Sequence, residues 1–444
     1  MEEARLNGRY FVQDALRTYV VHLAATVLGV AMTVLTARAL GPGGKGILTL
    51  LILIPVLAVT FGRWGIGHAL IYYAPREQSR GLMFNGFVLN VIMGLAASAL
   101  TFAFVSWQKD SLFHDVPPRL LAWMSVMVLF FFIYDFMGYL FVARGQISRR
   151  NALYLLFPVA YLVFFAIGVL AMKKGVTGAV AAWSLSIFLA VAIALRMTAR
   201  SVRRQDLSLN AAQMKRILGY GSRSHPGTML ELLNYRADYL LVNLFAGPAA
   251  VGLYSIAANM AEVMWKLPEA VSVVLLPSVA RLPPEEARAL TARTCRLVLV
   301  FVAGASLAIL LLRRPIIDIL FGAPFRPSAE PLLILLPGFV VFAVWKILAY
   351  GLLGQGYPLF YSLTSALAFA VMIALDLALI PRHGIAGAAL ASTAAYLIST
   401  FVMVIVFVRK SRSSVKDLLL PRKSDWDSVK ILFLNARREA SRED

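Results

Sequence analysis

The chain has 444 residues, 60% of them hydrophobic and 15% charged, with 43 Lys and Arg against 23 Asp and Glu and a formal charge of +20. A soluble globule has no interior for that share of apolar side chains, so lipid is the solvent for most of the chain and a soluble enzyme is excluded. The lone Cys295 rules out a disulfide framework and any cysteine metal site.

Twelve apolar spans follow in chain order: 15–40, 46–71, 82–106, 119–143, 151–171, 176–197, 222–246, 250–279, 292–312, 331–353, 358–380 and 384–408. Within a bilayer only helices and closed barrels satisfy their own backbone, and these runs are too long and too evenly apolar for barrel strands. The first outruns a signal-peptide core and is read as a retained span. The expected fold is an all-α polytopic membrane protein with about 12 transmembrane helices in two pseudo-symmetric six-helix lobes. The N-lobe occupies 1–200, a cytoplasmic inter-lobe loop 201–221, the C-lobe 222–408 and a basic cytoplasmic tail 409–444.

The two lobes read as a repeat. Gly41-Pro42-Gly43-Gly44-Lys45-Gly46 returns as Gly247-Pro248-Ala249-Ala250-Val251-Gly252. Gly175-Val176-Thr177-Gly178-Ala179 returns as Gly384-Ile385-Ala386-Gly387-Ala388 at nearly the same offset. Each copy lies at a turn between apolar segments. Like halves suit a transporter whose substrate site lies between them.

Lys and Arg set the orientation. Arg5, Arg9 and Arg17, the loop residues Arg76, Arg80, Arg144, Arg149 and Arg150, and the 196–223 connection gather cations on one side, together with the tail. The positive-inside rule makes that side, and both termini, cytoplasmic. It also accounts for the net charge, so nucleic acid is not an expected partner. For the tail, two readings stand: Trp426, Ile431, Leu432 and Phe433 lie on the membrane surface with Lys430 toward anionic lipid, or the segment is a disordered basic tail.

Ionisable residues inside spans cost roughly 2.5–3.5 kcal/mol each on insertion scales and are functional suspects. They are Arg63, Asp135, Glu231, Arg236, Asp238, Glu262, Lys266, Glu269, Lys346 and Asp376, with Asp14 and Arg17 at the inner end of span one. Some have plain explanations. Glu262, Lys266 and Glu269 stand four and three apart and can pair along one helix. Asp14 and Arg17 reach the headgroups by snorkelling. Arg63 and Lys346 have no opposite charge within a turn, and Arg236 does not share a helix face with Asp238. Arg63, Arg236 and Lys346 are therefore the leading substrate-binding candidates, expected to line one cavity, with Lys266 and Arg17 behind them. Asp135, Glu231 and Asp238 are the candidates for coupling or ion pairing. Arg can fork onto a phosphate and Lys serves as a point charge, so such a cavity suits an anion. Helical prolines such as Pro55, Pro158, Pro226, Pro268, Pro277 and Pro337 supply kinks.

No catalytic constellation accompanies them. His22, His68, His114, His225 and His383 are scattered without metal-ligand spacing. No phosphate loop of the Gly-x4-Gly-Lys-Ser/Thr type occurs, and the longest outer loop, about 107–118, holds no domain. Neither an enzyme nor a cofactor is expected.

Asp238-Tyr239-Leu240-Leu241-Val242, Gly247-Pro248 and Val251-Gly252-Leu253-Tyr254-Ser255-Ile256-Ala257, with Pro277 beyond, resemble the middle of polysaccharide-type flippases of the MOP superfamily. Ala37-Arg38-Ala39-Leu40-Gly41-Pro42 with Gly46 resembles that family's opening, and Gly145, Asn151-Ala152-Leu153 and Gly175-Val176 also fit. The resemblance implies a V-shaped, alternating-access exporter of the cell membrane. It would carry a polyprenyl-diphosphate-linked oligosaccharide, an O-antigen or exopolysaccharide unit, from the inner to the outer leaflet. It further implies that basic residues hold the diphosphate or acidic sugars, and that glycan polymerases and other assembly proteins act as partners. Arg63 stands where lipid II flippases keep a basic residue; Arg236 and Lys266 match by position only. The chain lacks the further pair of spans expected in lipid II flippases, which favours the oligosaccharide branch. The rival readings are a multidrug antiporter for organic cations, which would lean on Asp135 and Glu231, and a transport-inactive scaffold.

Overall fold

The computed structural model describes residues 2–74, 81–199, 207–411, 414–420 and 422. The expected cytoplasmic cations Arg76, Arg80, Arg200, Arg203 and Arg204, and the tail from Trp426 onward, lie outside the described residues. All regular structure in the described residues is helical. The elements are α1 (Glu2–Gly62), α2 (Ile66–Tyr73), α3 (Leu82–Trp107), α4 (Pro118–Ala143), α5 (Ile147–Phe165), α6 (Gly175–Ala199) and α7 (Ala211–Glu262). They continue as α8 (Lys266–Val279), α9 (Pro284–Leu320), α10 (Ala329–Gly354), α11 (Pro358–Ser411) and a short α12 (Val415–Leu419). Among the described residues, nine helical runs are long and apolar enough to cross a membrane. The chain is a multi-pass membrane protein.

Three of these runs, of 43, 51 and 53 residues, exceed what one crossing needs. Each contains one glycine with non-helical backbone: Gly41 (φ 65°), Gly247 (φ 77°) and Gly384 (φ 54°). Left-handed φ is costly for a residue with a Cβ, so glycine marks the place where the helix direction changes. Gly41 and Gly247, equivalent in the repeat, share the same backbone shape, with ψ of −179° and 176°.

The repeat also packs on itself. A Cβ added to Gly46 would fall 1.6 Å from the Pro248 carbonyl oxygen, and one on Gly252 would fall 2.0 Å from that of Pro42. The two Gly-Pro-x-x-x-Gly turns thus cross backbone to backbone, each glycine seated on the other copy's proline carbonyl. The flanking motif adds a clamp. Asp238 accepts hydrogen bonds from the Tyr239 N–H (2.9 Å) and the Tyr254 hydroxyl (2.6 Å), closing the chain around Gly247.

Two expected spans are interrupted. The 46–71 span breaks at Arg63–Gly65, between α1 and α2, where Trp64 (φ 43°) and Gly65 (φ 66°) are left-handed. The 250–279 span passes through a 3-10 turn at Val263–Trp265. Pro268 has no N–H for the carbonyl four residues back, so a regular helix is not continued through that turn.

The chain divides into two compact units: Met1–Ser255 with Leu320–Phe325, and Ile256–Ile319 with Arg326–Asp444. In the first, α4 packs against α1, α2, α3, α5 and α6. Its core includes Leu70, Phe136, Phe141 and Ile217. Buried Asn85 ties the start of α3 to the segment before α7, donating to the Ser208 carbonyl (3.0 Å) and to Gln213 (2.9 Å) and accepting from the Asn210 N–H (2.9 Å). In the second unit, α10 packs against α8 and α11. Its interior is an aromatic ladder in which Trp265 stacks on Phe339 (4.0 Å) and Phe342 on Trp345 (4.7 Å). α12 opens with a capping box in which Ser414 and Asp417 exchange hydrogen bonds. The Ser414 hydroxyl and N–H, aided by Arg422, hold the Asp417 carboxyl below its usual range.

Candidate functional site

The break between α1 and α2 sets the site in the first unit. The Arg63 N–H still bonds the Val59 carbonyl (2.9 Å), but the next turn is lost and Ile66 restarts the helix from the Arg63 carbonyl (3.0 Å). The guanidinium is turned toward α4. It donates to the Tyr139 hydroxyl (3.1 Å) and stands 3.7 Å from the Asp135 carboxylate. Both partners of this pair keep some exposure, at 20% and 30% of their side chains. Helical spacing explains the pairing, because Asp135 and Tyr139 are four apart and share one face of α4.

Beside this pair lies a cavity of about 440 Å³, lined by His68, Tyr134, Asp135, Tyr139, Arg150 and Tyr154 among others. That volume is in the range of ligand clefts, roughly 300–1,000 Å³. Arg150 faces it from α5, held over the Tyr154 ring (5.3 Å) and against the His22 Nε2 (2.8 Å). That hydrogen bond makes His22 Nε2 an acceptor, and His22 itself stacks on Tyr154 (4.7 Å). Asn151 donates to the Thr18 hydroxyl (2.8 Å), fastening α5 to α1. Arg150 and Asp135 line the cavity, and the Arg63 guanidinium is paired with that Asp135, so two cations stand about one carboxylate. The cavity's three tyrosines offer ring faces and hydroxyls. This is chemistry for an anionic, hydroxyl-rich ligand.

The turn at Trp64 is held in place from α7. The His225 Nε2 lies 3.3 Å from the Phe61 carbonyl. A Cβ on Gly221 would fall 2.1 Å from the Trp64 carbonyl oxygen, and one on Gly65 2.5 Å from that of Gly221. A left-handed tryptophan costs about 1–3 kcal/mol and persists only where neighbours fix it.

Four further candidates of the sequence lie in this unit. Arg236 on α7 is half-buried and reaches the Tyr235 carbonyl (3.0 Å) and the Tyr239 ring (5.3 Å). Asp238 is buried in the Tyr239–Tyr254 clamp. Glu231 accepts from the Tyr235 hydroxyl (3.3 Å). Arg17 is exposed on α1.

The second unit brings two candidates to one carboxylate. Lys346 of α10 lies 3.4 Å from one oxygen of Glu269, and Lys266 lies 3.2 Å from the other. Lys346 is buried, with its ammonium 5.0 Å from the Trp265 ring centre, whereas Lys266 is exposed. Arg63 and Lys346 therefore each carry a carboxylate partner from another helix, which spacing along their own helices does not reveal.

Some residues of the site escaped sequence reasoning. In sequence Arg150 reads as a loop residue beside Arg149, and no in-helix charge rule flags it. Tyr139 and Tyr154 were lost among many aromatics; their signal is the four-residue step from Asp135 and from Arg150. Lys45, read as a turn residue, is buried with its ammonium on the Thr36 hydroxyl (2.9 Å).

The model of a family described as "Polysaccharide biosynthesis protein" matches residues 35–330, and no curated protein matches the chain. Among solved structures, the chain is similar to the lipid II flippase MurJ in an inward closed conformation, at 16% identity and a TM-score of 0.75, over 94% of this chain and 91% of that one. It is similar to an inward-facing multidrug resistance MATE family transporter of the MOP superfamily, at 13% identity and a TM-score of 0.67, over 88% and 96%. A MOP superfamily transporter from Pyrococcus furiosus, described with a binding pocket of reversed polarity, aligns at 13% identity and a TM-score of 0.65, over 90% and 95%. At these identities the likeness is one of fold.

Proposed function

We propose, for a chain that belongs to the polysaccharide biosynthesis protein family, that it is a flippase moving a polyprenyl-diphosphate-linked oligosaccharide from the inner to the outer leaflet of the cell membrane by alternating access. The observation that carries this reading is the tyrosine-lined cavity faced by Arg150 and set beside the Arg63–Asp135 pair, within lipid-soluble helices. A glycan whose anchor stays in lipid needs a membrane chain to take its polar, charged head across the hydrocarbon. Two arginines over one carboxylate disfavour an organic cation as cargo, which is the reading against a drug antiporter.

In this reading nine apolar helices, three of them divided at their glycines, supply twelve crossings. The functional halves are 1–200 and 222–408, joined by a cytoplasmic loop, with both termini inside. Arg63 makes the first contact with the cargo's anionic group, and Arg236 acts on the same group. Lys346 joins in the state in which its pair with Glu269 opens, with Lys266 then retaining the carboxylate. Arg17 acts earlier, at the cytoplasmic surface where the cargo arrives. Asp135, which shares Arg63 with the cargo, is the coupling residue of choice, ahead of Glu231 and the clamped Asp238. Catalysis has no part in this scheme; glycan polymerases act on what it delivers.

The test is the leaflet that holds lipid-linked oligosaccharide in a deletion strain of the native host. Inner-leaflet accumulation cleared by the restored chain supports the flippase. An unchanged distribution overturns it.

A further inference from the structure

We propose that Trp64 is the stacking platform for a sugar ring of the cargo, presented next to Arg63 so that ring and anionic group are seized together. This rests on the glycan-lipid reading above. Three observations carry it.

The first is conformation. Trp64 has φ 43°, a region that glycine enters freely and asparagine tolerates, and that a bulky side chain avoids. The other described non-glycine residue with positive φ, Lys173, sits in the short connection before α6, where a long polar side chain extends freely. Trp64 sits inside an apolar segment, between Gly62 and Gly65, where either neighbour's residue type would fit unstrained.

The second is exposure. Burial normally offsets strain at a large aromatic residue, yet Trp64 is 48% exposed and Phe61, three residues earlier, is 42% exposed. The indole is thus held out of the protein core, and contacts within the protein do not offset its backbone cost. Strain of that kind collects at ligand clamps.

The third is the brace. His225 and Gly221 of α7 fix the carbonyls on both sides of Arg63, so the turn that presents Trp64 also aims the Arg63 guanidinium at the Asp135 and Tyr139 face. Indole offers a flat, weakly negative face to the C–H face of a pyranose, and Arg63 offers a fork to a phosphate or uronate beside it. The ligand class is therefore a pyranose carrying, or adjoining, an anionic group.

The experiment uses the full-length protein in liposomes loaded with lipid-linked oligosaccharide extracted from the deletion strain. Trp64→Asn removes the ring and suits the left-handed backbone; Trp64→Phe keeps a ring. The proposal expects Trp64→Asn to flip roughly tenfold more slowly, with a thermal midpoint at or above that of the wild type. Trp64→Phe should stay within about twofold of wild type, a residual difference well under the tenfold step. Wild-type flipping by Trp64→Asn overturns the proposal, as does equal impairment of both variants with lowered midpoints, which marks a packing role. If the wild type moves no lipid, the flippase reading falls and takes this one with it. If the wild type flips and Trp64→Asn does too, only the platform is lost.

Discussion

Arg63 in the first unit and Lys346 in the second are both intramembrane cations paired with a carboxylate from a neighbouring helix, yet their surroundings differ. Arg63 reaches Asp135 at 3.7 Å, keeps part of its surface open and borders a cavity of about 440 Å³. Lys346 keeps 4% of its side chain exposed, lies against Trp265 and shares Glu269 with Lys266. A loose pair at the edge of a cavity can exchange its carboxylate for a ligand at little cost. A buried cation gives up a close ion pair only at a larger cost. In the proposed scheme, the difference separates a residue that receives cargo from one that secures the fold until a change of state releases it.

Removing the carboxylate that the buried lysine pairs with should have the largest effect. Glu269→Gln removes the carboxylate that faces the buried Lys346 ammonium at 3.4 Å. Disrupting a buried pair costs about 3–5 kcal/mol, less here because Glu269 is itself 43% exposed. A clear fall in thermal midpoint is the expected result, and an unchanged midpoint would mean that Lys346 has other adequate partners. Next comes Arg63→Ala, expected to slow flipping at least roughly tenfold while membrane insertion is kept. Arg63→Lys, which retains charge without the fork, should fall between. Lys346→Met should be milder in stability, since Glu269 is half-exposed and keeps Lys266. A flipping loss equal to that of Arg63→Ala would erase the distinction drawn between the two pairs. The smallest effect belongs to Lys266→Ala, about 0–1 kcal/mol for an exposed pair, read as a shift in thermal midpoint.

Much of this was legible in sequence for a physical reason. Lipid imposes helices on any long apolar run, so the all-helical membrane class follows from composition and hydropathy. The repeat was legible because both copies need the same left-handed glycine, and the structure gives Gly41 and Gly247 the same backbone shape. What sequence spacing does not carry is contact between helices. The crossing of the two Gly-Pro turns, the Arg63–Asp135 pair and the Lys346–Glu269 pair all depend on which faces meet. Arg63 and Asp135 were each visible as intramembrane charges, but as separate suspects. The break at Trp64 was hidden inside an unbroken apolar run, where Gly62 and Gly65 were the only hints. Asp238 adds a further contact of the kind that spacing does not carry, accepting from the hydroxyl of Tyr254 beyond the Gly247 turn.

The most direct test places wild type, Arg63→Ala and Lys346→Met side by side in liposomes carrying lipid-linked oligosaccharide from the deletion strain, with the outward-moving fraction followed in time. Wild type should transfer the lipid quickly, Arg63→Ala should lose most of that transfer, and Lys346→Met should change it less. Undiminished transfer by Arg63→Ala would contradict the proposed scheme, because the cavity beside that residue would then not be where the cargo is held.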